Sequence, residues 1–125
     1  MVRKRVLVID DDEEFLEELK ELLAQTGYEV SDISDSSIAL KVARETRPDV
    51  ILLDLRMRRT SGFEIADGLK RFLETERIPV IAMTGFYTMK EHSWLMNFCG
   101  IKKCLKKPFN PLDVIAEIEL AVGEG

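Results

Sequence analysis

Two uninterrupted apolar runs in this chain each stop at an acid. Val6-Leu7-Val8-Ile9 runs into Asp10-Asp11-Asp12, and Val50-Ile51-Leu52-Leu53 runs into Asp54. Runs of this length without polar alternation read as buried strands of a parallel sheet. In an open α/β sheet, ligands bind beyond the carboxyl ends of the strands. The runs therefore bring three or more carboxylates to one sheet edge. Bare carboxylates that close repel and resist ionisation. A hard divalent cation relieves the repulsion, and Mg²⁺ suits one or two carboxylates plus a phosphate.

Two more strand ends add to the same edge. Pro79 to Met83 stops at Thr84-Gly85, and Ile101 to Leu105 leads into Lys106-Lys107-Pro108-Phe109. Strands are expected at Arg5 to Ile9, Glu29 to Ile33, Val50 to Leu53, Val80 to Met83 and Ile101 to Leu105. Between and after them, apolar residues at helical spacing predict five helices. These run from about Glu13 to Thr26, across Ile38 to Ala43, from Gly62 to Thr75, Met89 to Cys99 and Pro111 to Val122. Gly27 stops the first, Ser34-Asp35-Ser36 offers a cap for the second, and Pro111 suits the first turn of the fifth. Five strands alternating with five helices predict an α/β fold. The expectation is a doubly wound, five-stranded parallel sheet of flavodoxin-like order 2-1-3-4-5 with helices on both faces. One domain spans 1–125, with its core at about 4–122, and no internal repeat or glycine-rich phosphate loop interrupts it.

Acids, a hydroxyl and an ammonium at four strand ends resemble the receiver domain of bacterial two-component response regulators, from about Lys4 to Val122. Each motif alone is weak; the four in order are specific. The resemblance implies that Asp54 is the phosphoacceptor, taking a phosphoryl group from a histidine kinase or phosphotransfer protein. It implies Mg²⁺ held by Asp10, Asp11 and Asp54, with the backbone carbonyl of Arg56 as a further ligand. Thr84 would bind a phosphoryl oxygen, Gly85 would leave room for the donor, and Lys107, directly before the proline, would pair with the phosphate. Lys106 competes for that last role. The Lys107-Pro108 bond is expected to be cis, as is common in the family. Capping of the first helix accounts for Asp12, Glu13 and Glu14 without any site.

The chain departs from the family pattern in three places. Cys104 stands where an aromatic usually reports phosphorylation. The loop after Asp54, usually Met-Pro-Gly-X-Asp-Gly, reads Met57-Arg58-Arg59-Thr60-Ser61-Gly62. The arginines are read as tuning the acidic site, facing a partner or, for at least one, simply solvated. The fourth helix carries Trp94, Leu95, Met96, Phe98 and Cys99, which cannot all face the sheet. Some of that surface is expected to meet an output protein or domain, or a second copy in a homodimer. His92 is read as a surface residue.

Composition excludes several alternatives. Eighteen basic against 23 acidic residues give a net charge of −5, which implies no general nucleic-acid affinity. The short cluster Lys102, Lys103, Lys106 and Lys107 is a poor DNA platform. Cys99 and Cys104 lack partners at zinc spacing, and a disulfide is not expected in a reducing compartment. No run reaches membrane-spanning length, and the basic start is too short and too soon acidic for a signal peptide, so the expected location is cytoplasmic. An aspartyl-phosphate enzyme acting on small molecules usually needs a second aspartate where Arg56 stands, so a conventional enzyme is not expected. The remaining alternatives are a degenerate receiver used only for docking, or a receiver excerpted from a larger regulator or hybrid kinase.

Overall fold

The computed structural model describes residues 3–85, 89–101 and 103–123, with side chains for all of these except 89–92. The side chain of His92 and the whole of Lys102, weighed above, fall outside that set. The elements are β1 (Arg5–Ile9), α1 (Glu13–Gln25), β2 (Glu29–Ile33), a 3₁₀ turn (Ser36–Ile38), α2 (Ala39–Thr46), β3 (Val50–Asp54), α3 (Gly62–Leu69), β4 (Val80–Thr84), α4 (Met89–Phe98), β5 (Lys103–Lys106) and α5 (Pro111–Gly123). All strand pairs are parallel, in the order β2-β1-β3-β4-β5.

The period of two along each strand divides the core into two layers. Val6 and Val8 of β1, with Val50, Leu52, Ile81 and Met83, pack against Leu16, Leu19 and Leu23 of α1 and Val114 and Ile118 of α5. Leu7, Ile9, Ile51, Leu53 and Ala82 face Ala39 and Ala43 of α2, Ile65 and Leu69 of α3 and Met96 of α4. The central strand β3 is buried along its whole length, whereas the edge strands β2 and β5 are half-exposed. That is why the β1 and β3 runs are so cleanly apolar.

Local chemistry sets the helix ends. The Asp12 side chain accepts the Phe15 N–H at 3.2 Å, and Glu13 and Glu14 complement the dipole of the first turn. At the other end Gly27, at φ +94°, lets Tyr28 N–H reach Leu23 O and Gly27 N–H reach Ala24 O. These are the two bonds of a Schellman cap. Asp35 caps the 3₁₀ turn ahead of α2, not the α-helix itself.

Two of the boundaries that differ from the sequence expectation have a clear local cause. Helix α3 ends at Leu69, not at Thr75. The N–H groups of Lys70 and Arg71 tighten onto carbonyls three residues back, and the buried Thr75 hydroxyl turns back to donate to Leu69 O. The chain then proceeds in turns, with the Phe72 ring under the Arg44 guanidinium and Leu73 exposed. Strand β5 begins at Lys103, not Ile101, because Ile101 N–H closes the end of α4 by donating to Met96 O at 2.8 Å. Met96 and Cys99 of α4 are buried, but Trp94 and Phe98 are 73% and 67% exposed. The apolar excess on this helix therefore lies outside the core.

Candidate functional site

The site residues arise at the carboxyl ends of four adjacent strands. Asp10 directly follows β1, Asp54 closes β3, Thr84 closes β4, and Lys107 directly follows β5. Carboxylate oxygens of Asp10, Asp11 and Asp54 lie within 4.8 Å of one another. Asp10 and Asp54 are buried, at 1% and 6% exposure. Their burial follows from the central place of β1 and β3 in the sheet. The Asp12 N–H donates to Asp10 Oδ1 at 3.0 Å, which fixes that carboxylate at the turn into α1.

Lys107 supplies the balancing charge. Its Nζ lies 2.5 Å from Asp10 Oδ2 and 3.8 Å from Asp54 Oδ1. It also sits 4.1 Å over the Phe15 ring, which packs edge-on against Phe109 at 5.8 Å. The Lys107-Pro108 bond is cis, and the Lys107 N–H donates to Thr84 O at 2.7 Å. Lys106 pairs in register with Thr84 and is exposed.

The electrostatics are those of crowded acids. Burial, and then the neighbouring Asp10, push the Asp54 carboxyl up to about 7 from 3.8, and Asp11 adds to this. Lys107 and the Arg56 N–H pull the other way without cancelling the rise. That N–H is 3.5 Å from Asp54 Oδ1, so the Arg56 main chain borders the site. An all-oxygen donor set of this density fits one hard divalent cation shared among the three carboxylates.

The loop joining β3 to α3 is closed by Gly62. Its N–H donates to Leu55 O at 3.1 Å, and a Cβ there would lie 2.3 Å from the Asp54 carbonyl oxygen and 2.6 Å from Leu55 Cα. Only glycine allows this approach. A Cβ on Gly85, by contrast, would come no nearer than 3.8 Å to Lys107, so the chain beside Thr84 is uncrowded.

The match to known proteins rests on the same chain segment. Residues 6–119 match the response regulator receiver domain family. The chain belongs to that family. This receiver is 33% identical over 121 residues to the polar-differentiation response regulator DivK of Brucella anthropi, covering 97% of the chain and 98% of its relative. It superposes on the chemotaxis protein CheY4 of Vibrio cholerae with a TM-score of 0.89 at 26% identity, covering 96% and 99% of the two chains. The receiver domain of the sensor histidine kinase PA1611 from Pseudomonas aeruginosa shares the fold. Its TM-score is 0.87 at 22% identity over 98% and 99% of the chains, and its structure has a magnesium ion coordinated in the active-site cleft. The receiver is thus a domain of two-component signalling, a class of signalling switch. Among its described residues, no helix is long and apolar enough to cross a membrane.

Sequence reasoning missed one contact within the receiver's site and left a second open among three readings. The first is the Phe15–Phe109 pair around Lys107, whose only signal is an aromatic just after each charged strand end. The second is Arg58, whose N–H and Nε donate to Asp11 Oδ2 at 2.8 and 3.2 Å. A separate cavity of about 620 Å³, lined by Leu69, Ile78, Cys99 and Leu120, lies at the opposite end of the sheet. Of the two acids in its wall, Glu76 and Glu117, the second is paired with Lys103 at 3.0 Å.

Proposed function

We propose that the receiver is a phosphorylation-activated switch. It accepts a phosphoryl group on Asp54 from a phosphohistidine of a sensor kinase or phosphotransfer protein, in a Mg²⁺-dependent reaction in the cytoplasm. The observation that carries this reading is the convergence of Asp10, Asp11 and Asp54 with the Lys107 ammonium at one sheet edge. An ionised Asp54 oxygen attacks phosphorus, a P–O bond forms, and the P–N bond to the donor imidazole breaks. The electron pair returns to the imidazole nitrogen, which takes up a proton. Lys107 and the Thr84 hydroxyl would then hold phosphoryl oxygens. Asp10, Asp11, Asp54 and the Arg56 carbonyl would hold Mg²⁺. When bound, the ion lowers the proton affinity of Asp54 and neutralises charge developing on the phosphoryl group.

Phosphorylation would shift a pre-existing equilibrium and alter the face of α4, β5 and α5. Exposed Trp94 and Phe98 offer that face to an output protein or domain, or to a second copy. A docking-only receiver is the competing reading, and the raised proton affinity of Asp54 within three acids favours the switch over it.

The test is labelling with a small acyl-phosphate donor or a phosphorylated histidine kinase, with and without EDTA. Mg²⁺-dependent, hydroxylamine-sensitive label is expected on Asp54. It should be absent in Asp54→Asn and largely lost in Asp11→Ala. Label mapped by mass spectrometry to another residue, or undiminished in Asp11→Ala, would reject the assignment.

A further inference from the structure

Arg58 holds Asp11 from both its main chain and its side chain. Its N–H donates to Asp11 Oδ2 at 2.8 Å, its Nε to the same oxygen at 3.2 Å, and its Nη2 reaches the Asp11 carbonyl oxygen at 3.5 Å. The family's usual loop has proline at this position, which has neither an N–H nor a cation. A receiver with proline there could not make this grip. The grip also completes a pattern. Asp10 and Asp54 are served by Lys107, while the outermost acid is served by Arg58.

The two halves of the grip have different consequences. The backbone N–H is a neutral donor that orients Asp11 and is compatible with a metal on the other carboxylate oxygen. The guanidinium carries a full charge against the carboxylate that a divalent cation must also use. Asp11 and Arg58 together line two open grooves of about 660 and 410 Å³, so the guanidinium stands where the acid meets solvent. Its side chain is 84% exposed and therefore free to swing away. We propose that Arg58 is a built-in competitor of the divalent cation at Asp11, so that this receiver binds its metal more weakly than the same acids would with a neutral residue at that position.

The inference rests on the metal reading of the three acids given above. An exposed ion pair is typically worth less than the free energy of a tenfold change in binding. Removing it should tighten metal binding by roughly two- to fivefold. The test is titration of the unphosphorylated receiver with Mg²⁺ by calorimetry, and with Mn²⁺ by water-proton relaxation. Arg58→Ala and Arg58→Gln both keep the backbone N–H and lose the charge, so either alone suffices if the other folds poorly. Both should bind the two ions about two- to fivefold tighter than the native chain, and Arg58→Lys, which keeps a charge, should tighten less than either. Unchanged or weaker affinity in the two neutral variants would overturn the proposal and leave Arg58 as a positioning residue. Asp11→Ala separates the two levels. If its affinity falls while the arginine variants do not tighten, only the competitor role fails. If Asp11→Ala binds as well as the native chain, the metal reading fails and the competitor role with it.

Discussion

Replacing Asp54 with asparagine should stabilise the metal-free receiver, and the gain should grow with pH. Asparagine has nearly the shape of aspartate but cannot ionise. In the fold, burial and then Asp10 raise the Asp54 carboxyl from 3.8 to about 7. Between those values the folded chain keeps the proton and the unfolded chain has released it. Raising pH therefore favours unfolding, and the cost is complete above about pH 7. At about 1.4 kcal/mol per pKa unit, the whole rise corresponds to about 4 kcal/mol. The stability difference between Asp54→Asn and the native chain should grow from about 1–2 kcal/mol at pH 5 to about 4 kcal/mol at pH 8. Urea unfolding in EDTA at several pH values would measure it. Saturating Mg²⁺ at pH 8 should shrink the difference, because a ligand that binds only the folded native site stabilises it by mass action. A difference that stays constant or falls as pH rises would refute the reasoning, since it would mean that Asp54 ionises in the fold as easily as in the unfolded chain.

Three further outcomes are expected. Gly62→Ala should cost about 3 kcal/mol or more in urea unfolding, since the new Cβ would strike the main chain of Asp54 and Leu55, which cannot move without shifting β3. Thr75→Val should cost about 1–2 kcal/mol by the same assay, because it removes the buried hydroxyl that satisfies Leu69 O at the end of α3. Cys104→Tyr should leave labelling of Asp54 within about twofold of the native rate, as the residue lies on β5 beside Ala82 and packs against the α2–α4 layer, away from the acids.

The parts of this molecule legible in its sequence are those set by local pattern. Strands β1 and β3 are buried on both faces, so they appear as unbroken apolar runs, and the acids that end them mark the sheet edge without ambiguity. The end of α1 was equally plain, because Gly27 is a local device. What escaped depends on contacts between distant or unexpected partners. Arg58 reaches Asp11 across a separation of 47 residues. Thr75 satisfies a carbonyl of the helix it was expected to extend, so the apolar pair Phe72 and Leu73 looked like another helical turn. Ile101 is as apolar as a strand residue, yet its N–H is taken by the end of α4. Gly62 read as an ordinary helix start, and only the path of the main chain shows that it must pass against Asp54.

The loop after β3 is pinned where it leaves the strand and where it returns. Leu55 N–H donates to Met83 O and Gly62 N–H donates to Leu55 O, both at 3.1 Å. Both anchors are main-chain bonds, so neither depends on the side chains carried between them. The stretch 56–61 is consequently a cassette. It can exchange proline for arginine, or gain and lose charge, while β3 stays where it is. For protein engineers this makes the segment a transplantable dial. Grafted between receivers that share the two anchor points, it would carry its grip on the metal-site acid along, provided that Met57 keeps its place against the core and Ser61 its cap on α3.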